Sequence, residues 1–184
     1  MTAISNSKRG NLLRRLARDK RGVSAVEFAL LAPVMVGLYL SCVEISQAIG
    51  VDRKVTQTAG ALANIASQVT TISNSDMTDI LNAATDVMTP YPTTTLKITV
   101  SSVKIDSTGA AKVVWSDTRN GTARAVGSAV TIPSALAVAN TYIILSEVEY
   151  GYTPTIGRTI TGTLTLSDKM WMSPRLSSSV ARTS

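Results

Sequence analysis

The sequence predicts an α+β protein: a long amino-terminal helix, half in a membrane and half packed on a small antiparallel sheet, with a second helix. Three observations carry that expectation. A charge-free apolar run, Phe28 to Val43, follows a strongly basic leader. Helical spacing of apolar residues continues past that run to about residue 72. After Pro92 the apolar period changes from about 3.6 to 2.

Charge divides the chain in the same place. Residues 1–22 hold Lys8, Arg9, Arg14, Arg15, Arg18, Lys20 and Arg21 against Asp19 alone, which accounts for the whole net charge of +6. Residues 23–184 carry eleven basic and eleven acidic side chains, so they offer no basic face for a phosphate backbone and a nucleic-acid partner is not expected. A basic segment abutting an apolar span marks the cytoplasmic side of a membrane, which places the remainder across it. The charge-free run covers roughly 24 Å as a helix and Val23 to Ile49 roughly 40 Å, against a hydrocarbon core of about 30 Å, so one crossing fits. The expected organisation is a leader over 1–22, a transmembrane helix over 23–49, an outer helical region over 50–92, an antiparallel β domain over 93–172 and a flexible tail over 173–184.

Each element has its own signal. Val51, Val55, Thr58, Leu62, Ile65 and Val69 stand three and four apart and form one apolar stripe beyond the span. Ser73 to Ser75 interrupts the helix; Asp76 reads as the cap of a second one, with Asp79 as its capping-box acid. Met77, Ile80, Leu81, Ala84, Val87 and Met88 give the second helix its buried face, and Pro90 and Pro92 stop it. Leu96 to Ile105 alternates as a strand, Ser107 to Gly109 turns, and Lys112 to Asp117 returns as the hairpin partner. Residues 119–130 read as loop and Ile132 to Ala139 is ambiguous. Tyr142 to Tyr152, rich in β-branched and aromatic residues, is the strongest strand signal. Thr159 to Leu166 and Lys169 to Met172 add one or two more.

The chain contains no histidine and one cysteine, Cys42, inside the apolar run. That removes Ser/His/Asp and Cys/His nucleophilic arrangements and nearly every zinc site, and leaves no disulfide framework. Asp76, Asp79 and Asp86 lack the spacing of a calcium loop and read as a solvated helix face. Glu147 and Glu149 share one strand face, but no acid-activating partner accompanies them; an exposed face is the plainer reading than hydrolysis. No phosphate loop or nucleotide fingerprint occurs, and no cofactor and no enzymatic activity are expected.

The informative constellation is Gly22 with Glu27. A glycine preceded by Lys20 and Arg21, with an acid at the fifth position after it and an apolar helix beyond, matches the site cut by prepilin peptidases. Glycine lets an extended backbone enter an active site at the membrane surface, where the basic leader holds it. Cleavage after Gly22 makes Val23 a new amino terminus, whose ammonium can pair with Glu27 of a neighbouring helix. Spacing alone equally permits an uncleaved signal anchor, with Glu27 at headgroup level paired to Arg21 or Lys20. Pro33 frees a backbone carbonyl inside the span and favours a kink, a bending point in a packed filament or a tolerated irregularity in a lone anchor. Glu44 reads as a marker of the outer membrane–water boundary, with Tyr39 near it.

Taken together, RRLARDKRGVSAVEFALLAPVMVGLYLSCVEISQAI resembles the amino-terminal signature of TadE-like proteins, minor pseudopilins of the tight-adherence (Tad, or Flp) pilus system. VEYGYTP at Val148 to Pro154, carrying Tyr150, Tyr152 and Pro154, is similar to the family's late strand and turn. SPRLSSSV at Ser173 to Val180, carrying Pro174 and Arg175, is similar to the segment near its end. Residues from about 95 to 140 carry no matching motif. Phe28 stands where many Flp-type pilins have tyrosine, and the outer domain is far larger than that of the short major pilins. The resemblance implies processing between Gly22 and Val23 by a prepilin peptidase, and packing and assembly through Glu27, Phe28 and Pro33. It further implies partnership with other Tad pilins and pseudopilins and with an inner-membrane assembly platform. The protein would be single-pass in a bacterial inner membrane, amino terminus cytoplasmic and outer domain periplasmic, and available for incorporation into an extracellular pilus that supports adhesion. The alternative is an unprocessed, membrane-anchored periplasmic binding or structural domain.

Overall fold

The computed structural model describes residues 21–158 and 162–183. Helix α1, Arg21–Ser67, is followed by strand β1, Thr71–Ile72, and helix α2, Asn74–Met88. Then come β2, Leu96–Ile105; β3, Ala111–Arg119; β4, Tyr142–Tyr152; β5, Leu164–Met172; and β6, Ala181–Arg182. The strands β3-β2-β4-β5, in that spatial order, form an antiparallel sheet, and β1 and β6 form a separate parallel pair. The architecture is the α+β arrangement expected. The chain divides after Val43 into two units, so α1 contributes its first half to one and its second half to the other.

In the second unit, alternation decides which face of the sheet each residue serves. Leu96, Ile98 and Val100 of β2, Trp115 of β3 and Ile144, Val148, Tyr150 and Tyr152 of β4 join the core formed with α1 and α2. The opposite face carries a smaller cluster, Val103, Ile105, Ala111, Ile143 and Leu145, covered by Val130 and Ile132 of the long β3–β4 connection. Val113, on β3, pairs with Val103, whereas Trp115 pairs with Ser102, so one extra residue, Val114, bulges from β3. Gly127 to Val130 lies along the start of β3, with hydrogen bonds between Val113 and both Gly127 and Ser128 and from Val130 N–H to Ala111 C=O.

The helices are held by specific ends. Ser73, not Asp76, is the N-cap of α2: its hydroxyl accepts from the Asp76 amide, while the Asp76 carboxylate accepts from the Ser73 amide at 2.8 Å. Asp76 is thus the capping-box acid, the role expected of Asp79. The Ser73 hydroxyl, which donates to the Asp76 carboxylate at 2.7 Å, and the Ser73 amide together hold that carboxyl below the usual range. Lys54 of α1 donates to the Val87 carbonyl at 3.0 Å, near the carboxyl end of α2, where a cation also suits the helix dipole. The backbone amide of Arg175 donates to the Ser67 carbonyl at 2.8 Å and so satisfies the last turn of α1.

Four expectations need correction. Helix α1 ends at Ser67, and Thr71–Ile72 leaves it to pair with β6. Ile65 is 37% exposed, while Ala59, Ala63 and Ala66 are fully buried with Val51, Val55, Thr58 and Leu62. The buried stripe is therefore rotated toward the alanines, of which Ala59 and Ala66 join the core shared with the sheet and the second helix. Ala48 packs against the core, so the outer domain reaches into the stretch assigned to the span. Finally, residues 173–183 are anchored instead of forming a free tail: Val180 is buried, Trp115 Nε1–H donates to its carbonyl at 2.8 Å, and Arg182 bonds Asp117 at 2.9 and 3.2 Å and Asn74 at 2.7 Å. The strand expected over Thr159 to Leu166 lies partly outside the described residues; the observed strand is the continuous Leu164–Met172.

Candidate functional site

The first half of α1 is built for an apolar surrounding that the chain itself does not supply. Val23, Val26, Phe28, Leu30, Leu31, Val34, Met35, Val36, Leu38 and Tyr39 are each more than half exposed. A helix apolar on every side needs lipid or other helices as its solvent. Gly22–Ser67 is long and apolar enough to cross a membrane.

Within this half, the expected processing and packing residues fall at the beginning. Gly22, Val23, Glu27 and Phe28 are all exposed, and a side chain built at Gly22 would meet nothing within 4 Å. Four residues separate Val23 from Glu27, so they share a face about one turn, or roughly 6 Å, apart. Helix geometry therefore places Glu27 one turn above the residue that cleavage would make the amino terminus. Pro33 lies inside the helix without ending it. It cannot donate to the Ala29 carbonyl, which leaves that acceptor without its usual intrahelical partner. Further along, the Ser41 hydroxyl donates to the Gly37 carbonyl at 2.9 Å, the local back-bond by which serine satisfies itself in apolar surroundings.

The other motif residues belong to the second unit and are structural in setting. Tyr150 and Tyr152 are buried on the helix-facing side of β4, and Pro154 is buried just after it. Burial raises the pKa of both tyrosines, and for Tyr152 the carboxylate of Glu44 adds to the rise. Pro174 directly precedes Arg175, whose amide caps α1.

Glu147 and Glu149 are both ion-paired. Glu147 receives Arg124 through Nε at 2.6 Å and Nη2 at 2.8 Å, and Lys169 Nζ lies 2.9 Å away. Burial pushes its carboxyl up, but the bonds and charges of Arg124 and Lys169 outweigh that and hold it below the usual carboxylate range. Glu149 pairs with Lys97 at 2.7 Å, both about half exposed. A carboxylate kept ionised by two cations is a poor proton donor, and this pair ties the β3–β4 connection to the sheet. These residues also line a polar cleft of about 370 Å³ with Thr99, Thr122 and Ser167.

Glu44 has a role that the sequence reading missed. Its carboxylate accepts from the backbone amides of Ile156 and of Gly157, the latter at 2.8 and 2.9 Å. The partners are 112 and 113 residues away, so only the glycine in Ile156-Gly157-Arg158 hinted at a loop whose amides face an acceptor.

The family described as TadE-like protein matches residues 22–63. Comparison with curated proteins and with solved structures gave no match. The matched stretch takes in nearly all of α1, both the exposed half and the half buried in the outer domain, and does not extend to Val148–Pro154 or Ser173–Val180. The resemblance carried by Gly22, Glu27 and Pro33 is thus found independently: over its long amino-terminal helix this chain is similar to TadE-like proteins.

Proposed function

We propose that this protein is a minor pseudopilin that takes part in assembling or priming a Tad (Flp) pilus and thereby supports adhesion. The observation that carries the proposal is the division of α1. One half is buried in a domain of its own, while the other exposes apolar residues on all sides, with Gly22 and Glu27 in register at its start. The match over residues 22–63 supports the same reading. A prepilin peptidase cleaves after Gly22; the Val23 ammonium then pairs with Glu27 of an adjacent subunit, which offsets the cost of placing either charge among apolar helices. Phe28 and Pro33 pack in the same bundle, and the partners are other pilins, pseudopilins and the inner-membrane platform. Before assembly the helix spans the inner membrane, with the outer domain in the periplasm. The domain is too large for a bulk filament subunit of the short Flp type, which favours a minor component.

Mass spectrometry of the mature chain tests the processing step. The expected start is Val23; an intact leader or any other start defeats it and leaves the unprocessed anchor. For the assembly step, Glu27→Ala should abolish incorporation with processing and the outer domain intact. A variant that inserts more readily and assembles as before points to a plain anchor.

A further inference from the structure

We infer that the loop Thr153–Arg158 is a membrane-surface contact of the outer domain: Glu44 holds it in the headgroup layer, where Ile156 enters the acyl boundary and Arg158 meets the phosphate of an anionic phospholipid. The inference rests on the membrane-spanning reading of α1 and goes beyond it.

The argument begins with position. Glu44 directly follows Val43, the last residue of the charge-free run, so wherever that run leaves the hydrocarbon, Glu44 stands at the exit. The Glu44 carboxylate is bonded to the amides of Ile156 and Gly157. A glutamate side chain and one hydrogen bond together put the Ile156 backbone within roughly 8 Å of the Glu44 backbone. The headgroup layer on one side of a bilayer is about 5 to 8 Å thick. The loop therefore lies at the depth of that layer.

Composition fits the depth. Ile156 is 51% exposed although the domain has a core available to bury it, and Arg158 is exposed with no ion-pair partner among the described residues. An apolar side chain beside a cation is the pairing that interfacial segments use. Glu44 would be repelled by an anionic surface if bare, but the two amide donors of Ile156 and Gly157 hold its charge. The bonds also remove two backbone donors that lipid could not satisfy.

The test uses the full chain in vesicles of phosphatidylethanolamine and phosphatidylglycerol, in a Cys42→Ala background so that an environment-sensitive fluorophore can be attached at one introduced cysteine. Three sites are compared: Ile156→Cys, Val126→Cys in the exposed β3–β4 connection, and Val34→Cys in the span. The label at 156 should be quenched several-fold more by headgroup-level nitroxide lipids than the label at 126, and less by deeply placed nitroxides than the label at 34. If the label at 34 is not quenched by deep nitroxides, the membrane reading itself fails. If 34 reads lipid while 156 behaves like 126, only the loop contact is overturned. A label at 156 that is shielded from both water and lipid assigns the loop to a protein partner, which also overturns the inference. Glu44→Ala should shift the 156 label to the aqueous signal, and an unchanged signal refutes the anchoring role of Glu44. Arg158→Glu should lower quenching in the anionic vesicles but much less in phosphatidylcholine; equal loss in both, or none, removes the guanidinium from the contact. Unchanged tryptophan emission, to which Trp115 and Trp171 both contribute, checks that each variant keeps its core.

Discussion

Deleting Val180 to Ser184 should destabilise the outer domain severely, although these five residues look dispensable in composition. Val180 is 2% exposed, and its loss forfeits about 1.5 to 2 kcal/mol of apolar burial. Two strand hydrogen bonds, Ala181 N–H to Thr70 C=O and Thr183 N–H to Ile72 C=O, both 3.0 Å, and the indole bond of Trp115 to Val180, 2.8 Å, contribute about 0.5 to 1.5 kcal/mol each. The pair Arg182–Asp117 is 19% and 28% exposed, so solvent screening leaves it no more than about 1 kcal/mol. The total is roughly 3 to 7.5 kcal/mol, a large share of the 5 to 15 kcal/mol by which domains are usually stable. Urea unfolding in detergent, followed by far-ultraviolet circular dichroism, measures it. Trp115→Phe, which removes the indole donor and leaves the Val180 carbonyl unpaired, should account for about 1 to 3 kcal/mol of that loss. A deletion that costs less than about 1 kcal/mol would refute the reasoning and return the segment to a frayed end.

The same assay checks three further expectations. Leu62→Ala should cost about 2 to 5 kcal/mol, because Leu62 is fully buried, whereas Ile65→Ala should cost less than about 1 kcal/mol; equal costs would restore the stripe that includes Ile65. Glu147 has its folded pKa depressed below its ordinary value of 4.5, so its stabilisation is present above that value and is lost as pH falls through the depressed one; Glu147→Gln should lower the urea midpoint at pH 7, and its effect should shrink progressively as the pH is taken below 4.5. Gly121→Ala should destabilise by about 1 kcal/mol, because the new Cβ would come 2.8 Å from Thr118 Oγ1, which is fixed by its 2.7 Å bond to the Ile98 carbonyl; an unchanged midpoint shows that Thr118 can move aside.

What could be read from the sequence, and what could not, follows from the range of the interactions involved. Leu96–Ile105 and Tyr142–Tyr152 lie where their alternation predicts them, since a period of two is imposed locally wherever one face is buried. The face of α1 was misread because isoleucine outweighs alanine in any count of apolar residues. Packing chose differently: Ala59, Ala63 and Ala66 are fully buried, a Cβ added at Gly60 would sit 3.9 Å from Met170, and the β-branched Ile65 faces out. The anchoring of Val180 and Arg182 depends on Trp115 and Asp117, 65 residues away, and a two-residue strand has no periodicity to announce it. Glu44 was legible as a charge at the edge of a span but not as the holder of a loop 112 residues on. The processing proposed at Gly22 and Glu27 rests on local sequence alone, since an enzyme that cuts an extended segment reads only the residues beside the bond. These cases meet in α1. Upstream of Val43 its large apolar residues are exposed on every side; from Val51 onward most of its apolar residues are buried in the core formed with the sheet and α2. The two rules change over within about two turns, and Glu44 begins that interval. A glutamate placed there does two jobs at once: it ends the apolar run and ties down the one loop that must sit beside it.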